Sequence, residues 1–570
     1  MATESFFSNA SLAYLASAGA GKDGKAYSIK PTDGTGDFTF SRGSNLAATR
    51  IGADGLIEKG RENLLLRSND FSNATWTKTN SSVTSGQSGY DGSSDAWLLN
   101  KPTDGSISYF SQGSISLSGV WTNSVYAKKN TLNFIWFRSL GGSDVSCFFD
   151  LENGTTGTSN NTILTSIEAV GTGGWYRCSI TANTSNNSFL IYPAQSNGNL
   201  TSGVGSVFLQ DTQAEIGLAA TDVISTGATT GKAGLLEDEP RFDYSGGATC
   251  PSLLLEPSRT NLITQSEYYG GSAWIKTNVV VTDNDAISPE GVQNAAKVVT
   301  SSGSVNVKQD SISVTPSTTY TFSFWCKLTS GTTLKGRFYD NTAGADIEYY
   351  DYTSQLTIGE WARVERTFTT PAGCTSIQVW LLAQSATLVT AHYWGAQAEA
   401  GSYPTSYIPN HSGGSVTRGA DVCTGAGDAT TFNDSEGVLY AEISALANDG
   451  TFRNISVSNG TTAQAIRIYY RSNDDQITFL LGSSSGGGIT TSIPSATDYI
   501  KVAAKYDTDT IKLFVNGALI NTISSLTMPT GLQQLDFNIA NVLPFYGNAK
   551  QVLYFPTALS DADCITLTTL

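Results

Sequence analysis

The residues that could do covalent or metal chemistry are few and scattered. His392 and His411 are too few to form a metal cage by themselves. The seven cysteines (Cys147, Cys178, Cys250, Cys326, Cys374, Cys423 and Cys564) include no CxxC pair. They read as free, mostly buried thiols, with a disulfide between neighbouring strands such as Cys147 with Cys178 as the alternative. Gly482-Ser483-Ser484-Ser485-Gly486 has the G-x-S-x-G spacing of a nucleophile elbow. That device needs a strand–turn–helix setting and a later histidine, and both histidines lie upstream, so loop chemistry is the better reading. GATTGK at 227–232 is one residue short of a phosphate-binding loop and is followed by Ala233 rather than Ser or Thr. Asp346, Glu348 and Glu365 could supply the acid and base of a glycosidase, but a chain with 49 acids offers such pairs by composition alone. Asp340, Asp346 and Asp351, with Asn341, form an acidic, loop-rich stretch without the spacing of a calcium loop. The expectation is a protein with no catalytic residue, no metal site and no cofactor.

Aromatic side chains are the better candidates for ligand contact, because the CH groups on a pyranose face suit an aromatic plane. Tyr268-Tyr269, Tyr349-Tyr350 with Tyr352, Tyr403 with Tyr407, and Tyr469-Tyr470 occur in clusters. Adjacent residues of a strand point to opposite faces, so one ring of each pair can face outward. From these clusters Tyr269, Tyr350, Tyr352, Tyr407 and Tyr470 are taken as the glycan-contact candidates.

The net charge of −16 and a pI near 4.6 disfavour a nucleic-acid or anionic-membrane partner. No apolar run approaches a membrane span. The start, MATESFFSNASLAYLASAG, lacks a basic region and carries Glu4, which reads against a secretory signal.

The elements that must position these residues are strands. TYTFSFWCKL (319–328), ARVERTFTT (362–370) and DTIKLFVNGALI (509–520) alternate with period two, and Gly, Ser, Asn, Asp and Thr clusters separate them. The pattern predicts an all-β chain of serial antiparallel β-sandwiches (jelly rolls). Two of them are an internal duplication. NLLLRSNDFSNATWTKTN from Asn63 aligns with NLITQSEYYGGSAWIKTN from Asn261, pairing Trp76 with Trp274 and Lys78-Thr79-Asn80 with Lys276-Thr277-Asn278. Trp175 and Arg177 match Trp361 and Arg363, and QAEIG (213–217) matches QAEAG (397–401). Equivalence of the tryptophans predicts core packing in both copies. Further on, Asn516-Gly517 predicts a two-residue type I′ turn, and Ser560 predicts a helix N-cap.

The expected organisation is an N-terminal attachment or oligomerisation segment (1–62), a first sandwich (63–218), a linker (219–260), a second sandwich (261–410), a linker (411–436) and a third sandwich (437–570).

The third unit, through KVAAKYDTDTIKLFVNGALI and GNAKQVLYFPTALSDADC, resembles the concanavalin-like (laminin-G-like) jelly roll. The repeated units are similar to carbohydrate-binding-module jelly rolls. Three phrases, GDFTFSRGSNLAATRIGADGLIE (36–58), PRFDYSGGATCPSLLLEPSRTNLI (240–263) and GAQAEAGSYPTSYIPNHSGGSVTRGAD (395–421), resemble those of tailed-bacteriophage virion proteins. In such relatives GLIE runs almost directly into PRFDY, so the first sandwich reads as an inserted duplicate. The resemblance implies a non-enzymatic virion surface appendage, a tail fibre or tail-associated adhesin. It would attach to other virion proteins through 1–62, bind a host cell-surface glycan, and form a homo-oligomer, with a trimer expected. A head fibre or capsid-decoration protein is the alternative, and a glycan-degrading tailspike a third reading.

Overall fold

The computed structural model describes residues 2–569 other than 19–20, 44–45, 302, 386–387, 472–474 and 483–486. Most of the Gly482–Gly486 motif therefore lies outside the described residues. Strand accounts for 52% of the chain and helix for 4%, so the body is β throughout. Three large, separate hydrophobic cores match the three sandwiches.

The first sandwich opposes two six-stranded antiparallel sheets, and the second opposes two five-stranded ones in the same order. In the first, one sheet runs Val145–Asp150, Phe134–Ser139, Asn186–Ala194, Tyr109–Leu117, Thr77–Thr79. Its counterpart runs Ala345–Asp351, Lys335–Asp340, Ser376–Ser385, Ser304–Ser313, Ile275–Thr277. The first copy adds an edge strand to each sheet, Thr155–Asn160 and Leu164–Val170.

The duplication extends to individual hydrogen bonds. Trp76 Nε1 donates to the Arg67 carbonyl at 2.9 Å, and Trp274 Nε1 to the Gln265 carbonyl at 3.2 Å. Asn63 and Asn261 each donate to two carbonyls and accept two backbone N–H groups in the same pattern. Glu215 and Glu399 are fully buried and accept the N–H and hydroxyl of Thr221 and Thr405 respectively. Such buried polar groups are tolerable because each is satisfied, and the same solution appears twice.

The third sandwich is larger than 437–570. Its main sheet follows the order Arg241–Asp243, Ser252–Leu255, Gly547–Phe555, Glu436–Ala445, Ile500–Asp507, Thr510–Val515, Ala518–Ile523. Leu12–Leu15 also joins the edge of Gly547–Phe555, with Leu12 opposite Tyr554 and Leu15 opposite Gln551. Facing it is the sheet Gly488–Ser492, Gln476–Leu481, Ala465–Tyr470, Arg453–Ser458, Gln534–Asp536. A bridge from Leu535 to Ala426 leads on to Val422–Thr424, paired with Phe38–Ser41. The Asn516-Gly517 turn has both residues left-handed, and Ser560 caps the helix Asp561–Thr568 by accepting from Asp563 N–H.

These pairings correct the expected boundaries. Residues 1–62 are not a separate segment. Leu12, Tyr14, Phe38 and Phe40 are buried in the core of the third sandwich, and Ile57 packs on Trp394 and Tyr407 of the second. Lys30 Nζ donates to the Phe7, Ser8 and Ala10 carbonyls, holding the last turn of the helix Ala2–Asn9. Neither 219–260 nor 411–436 is a bare linker. Each contributes strands whose apolar side chains (Phe242, Leu253, Leu255, Cys423) enter the third core.

The three phrases 36–58, 240–263 and 395–421 converge on one buried ionic hub. Arg241 reaches both Glu256 and Asp421, Arg42 pairs with Asp421 at 3.2 Å, and Arg418 pairs with Glu256 at 2.8 Å. All five side chains are 3% exposed or less. Burial would raise the Glu256 carboxyl, but Arg418 and Arg241 outweigh it and hold it at about 2. The hub sits where the second and third sandwiches meet.

Candidate functional site

The five tyrosines expected to meet a glycan are all buried. This corrects Tyr269, Tyr350, Tyr352, Tyr407 and Tyr470 as contact residues. Tyr269 packs on Trp274 with ring centroids 4.8 Å apart, and Tyr350 stacks on Phe338 at 4.9 Å. Tyr352 donates to the Leu381 carbonyl, Tyr407 to the Glu267 carboxylate, and Tyr470 to the Ile443 carbonyl. In each cluster it is the other ring that faces out. Tyr349 is 54% exposed, and Tyr268, Tyr403 and Tyr469 are half-buried.

The acids weighed for catalysis are engaged elsewhere. Asp346 pairs with Arg337 and Glu348 with Arg366. Asp340 and Asp351 cap their own turns, accepting the N–H groups of Thr342 and Thr353. Burial raises the Glu365 carboxyl, which lies 4.0 Å from Arg363. All seven cysteines are free thiols; Cys250 is exposed and the other six are buried.

A ring-lined surface does exist, on the outer face of one sheet in each duplicated sandwich. In the strand Phe134–Ser139 the alternation places Ile135 and Phe137 in the core and Trp136 and Arg138 outward. Trp136 lies directly opposite Tyr192, with centroids 4.8 Å apart, and stacks on Phe148 at 5.5 Å. Tyr109 extends the row, 4.8 Å from Tyr192. Arg138 lies 4.7 Å over Trp136 and is held by a bidentate pair to Asp144 at 2.8 and 2.9 Å. That hydrogen-bonded pair raises the guanidinium pKa, and burial raises the Tyr192 phenol, so both keep their protons at any physiological pH. Beside the rings lies a groove of about 620 Å³, lined also by Thr79, Asn80 and Ser106. Its rings, hydroxyls and amide converge on one open channel.

The second copy presents the matching face differently. Phe338 is in the core, while Arg337 and Tyr339 flank it outward. Arg337 lies opposite Trp380 and sits 4.5 to 4.9 Å from the ring centres of Tyr339, Tyr349 and Trp380. Lys308 Nζ is 4.7 Å from the Trp380 ring, and Gln378 accepts from both Lys308 and Trp380 Nε1. The first copy therefore offers rings on rings, and the second offers rings interleaved with cations.

Sequence reasoning passed over Trp136, Tyr109, Tyr192, Arg138 and Trp380. The available signal was the pair of triplets Trp136-Phe137-Arg138 and Arg337-Phe338-Tyr339. Each has a core phenylalanine flanked by a ring and a guanidinium on the opposite face.

Residues 267–387, within the second sandwich, match a family model described as a carbohydrate binding domain. No curated protein sequence matches the chain. Among solved structures, the chain is similar to the CBM40 of a Ruminococcus gnavus sialidase bound to α2,3-sialyllactose. That likeness has 23% identity over 25% of this chain and 86% of that one, with a TM-score of 0.22. The tandem CBM22 domains of Paenibacillus barcinonensis Xyn10C are 13% identical, covering 63% of this chain and 100% of that one, with a TM-score of 0.21. The bacteriophage CBA120 tailspike protein 4 is 18% identical over 25% of this chain and 21% of that one, with a TM-score of 0.21.

Proposed function

We propose that this chain is a non-catalytic, glycan-binding protein whose contact surfaces are the outer ring-lined faces of its two duplicated sandwiches. The observation that carries this reading is the groove beside Trp136, Tyr109, Tyr192 and Arg138. On the same face of the copy whose sequence matches a carbohydrate binding domain, Tyr339, Tyr349 and Trp380 form a second ring-lined surface around Arg337. Rings can stack on a sugar face while Asn80, Thr79 and Ser106 hydrogen-bond its hydroxyls. Each contact is weak, and two faces on one chain raise avidity.

The cellular setting follows, on this reading, from the three phrases that resemble tailed-phage virion proteins. The chain acts as a surface appendage, a tail fibre or tail-associated adhesin, whose third sandwich is of the concanavalin-like type. Attachment to neighbouring virion proteins uses the outer surface of the N-terminal strands, since their inner side chains are occupied by the chain's own cores. A homotrimer multiplies the number of faces presented to a host cell.

The test is a glycan array probed with the full chain, followed by titration of the best ligand into W136A and W380A. A stacking ring contributes more than about 1 kcal/mol at a contact centre, so each variant loses roughly fivefold to tenfold in affinity while remaining folded at the temperature of the titration. Unaltered binding by both variants overturns the assignment. Release of reducing ends from the bound polysaccharide overturns the non-catalytic part.

A further inference from the structure

The duplication leaves a seam between its two copies, and the seam holds a cleft of about 420 Å³. That volume falls in the range of roughly 300–1,000 Å³ typical of small-molecule sites. One wall is the outer face of the paired strands Leu164–Val170 and Trp175–Asn183 of the first sandwich. Cys178, Ile180 and Ala182 enter the core, so alternation turns Arg177, Ser179 and Thr181 outward. The register sets Leu164 opposite Thr181, Ser166 opposite Ser179 and Glu168 opposite Arg177, and all six line the cleft. The other wall is Asp283, Asn284, Val292 and Gln293 of the second sandwich, and residues 218–220, which lead from one copy towards the other, complete the lining.

The walls are tied together within the chain. Asn284, in the left-handed region at φ 52°, donates through Nδ2 to the Leu218 carbonyl at 2.8 Å. Gln293 donates to the Asn284 carbonyl at 2.9 Å. Arg177 donates to Ser124 Oγ at 3.2 Å and to the Thr221 carbonyl, and its guanidinium lies 5.4 Å from the Tyr126 ring centre. The cleft is therefore formed before a ligand arrives, which lowers the cost of binding. Polar capacity is left over inside it. Asn284 Oδ1 is buried without a hydrogen bond, and among the described residues the Ser179 hydroxyl has no partner. Ser166 donates to Glu168 Oε1 at 2.7 Å, which leaves the second carboxylate oxygen as an acceptor.

The second copy does not repeat this surface. Its matching strand, Ala362–Thr369, is a sheet edge, and it carries Glu365 where the first copy has Ser179. The added strand Leu164–Val170 thus supplies half of a polar wall that only the first copy has. No aromatic ring lines the cleft, and its ionisable groups are two carboxylates, Glu168 and Asp283, against one guanidinium, Arg177. Hydroxyls, amides, a carboxylate and a guanidinium in one channel match the hydroxyls of a sugar, each of which donates and accepts. The acid excess disfavours a carboxylated sugar.

We propose that the seam cleft is a third saccharide site, which takes a neutral sugar by hydrogen bonding and is completed only by both copies together. It rests on the glycan-binding reading for the class of ligand, but not on the ring-lined faces.

The test uses the full chain carrying W136A and W380A, which removes those faces from the measurement. It is probed on an array of neutral and carboxylated oligosaccharides, and the best neutral one is then titrated by calorimetry. The expected result is that a neutral oligosaccharide is still bound. Adding S179Y, which fills the cleft, lowers its affinity at least about tenfold, and E168A and Q293A each lower it about fivefold. Glu168 and Gln293 are exposed, so these two variants decide the matter should S179Y fail to fold by thermal melting. Because both copies line the cleft, saturating sugar raises the melting of the first and second sandwiches together. Affinity unchanged by a folded S179Y, or by both E168A and Q293A, overturns the proposal. Binding by the wild type but none by the W136A and W380A chain at about 1 mM overturns it too and leaves the ring-lined faces standing. If neither protein binds any sugar, the glycan-binding reading falls and this proposal with it.

Discussion

Replacing Asp421 should destabilise the chain more than replacing Arg42, although the two side chains form the same ion pair. The hub contains three guanidinium groups (Arg42, Arg241, Arg418) and two carboxylates (Glu256, Asp421), so its buried charge is 3 − 2 = +1. D421N leaves 3 − 1 = +2 with one carboxylate to serve three cations. Arg42 then has only the Leu236 and Glu239 carbonyls, at 2.8 and 3.2 Å. R42M removes the excess cation and keeps a buried aliphatic stem, leaving 2 − 2 = 0. Removing one partner of a buried pair costs about 3–5 kcal/mol when it strands a charge, whereas replacing a charge by an apolar group that fills its place is often near neutral. Allowing for the two lost carbonyl bonds, R42M should cost no more than about 2 kcal/mol. For sandwiches of this size D421N lowers the melting temperature by roughly 6–20 °C. Differential scanning calorimetry of the full chain at neutral pH reads both variants. Because the hub joins the second and third sandwiches, D421N should also split their transition into two. The reasoning is refuted if R42M is as damaging as D421N, since charge balance would then not govern the hub.

Three further outcomes follow from other elements. Burial, with Lys59 nearby, lowers the His411 pKa from 6.5 to about 3; the group also faces Arg61, Glu267 and Glu290. A histidine kept neutral by folding stabilises fully above about pH 6.5, and that stability is lost as pH falls, by up to about 1.4 kcal/mol per unit. Urea melts of the wild type and H411Q between pH 6.5 and 5 should therefore converge, because the buried carboxylates such as Glu256 contribute alike to both proteins. Deleting residues 2–16 removes Leu12, Ala13 and Tyr14 from the edge of Gly547–Phe555. At about 1.5–3 kcal/mol per large buried side chain, the third sandwich should drop out of the transition it shares with the second, and its bared edge should aggregate. W76A and W274A should each cost about 3–5 kcal/mol and act on different transitions, the first and second sandwiches respectively. Equal effects of both on one transition would contradict the separation of the cores.

The fold was legible wherever a local pattern determined it. Period-two alternation placed the strands at 319–328 and 362–370, and Asn516-Gly517 and Ser560 took up the turn and cap that their chemistry favours. The repeated Asn63/Asn261 and Trp76/Trp274 markers indicated one architecture built twice, because each makes hydrogen bonds within its own copy. The boundaries were not legible, for the same reason. Leu12–Leu15 and Ser252–Leu255 are short strands whose partner, Gly547–Phe555, lies some three hundred to five hundred residues away. Nothing in LAYL or SLLL names that partner, since an edge strand is recruited by a free row of backbone groups and an apolar surface rather than by a local signal.

The candidate site failed on parity alone. Adjacent rings on a strand do face opposite ways, but alternation does not say which of two neighbouring rings is inside; the neighbouring strands decide that. On Ala345–Asp351, Tyr350 lies opposite Gly336, whose missing side chain leaves room for the ring against Phe338. The Gly336 position would hold a Cβ only 2.2 Å from the Tyr350 ring. A glycine across the strand thus turns Tyr350 inward and Tyr349 outward, onto Arg337. The same logic operates at Trp136. Phe137 enters the core against Phe149 and Phe189, which forces Trp136 and Arg138 to the outer face with Tyr192. Which aromatic side chains remain free to meet a ligand is therefore set by cross-strand volume, and the outer rings of both copies are those whose inward neighbours the core could accommodate.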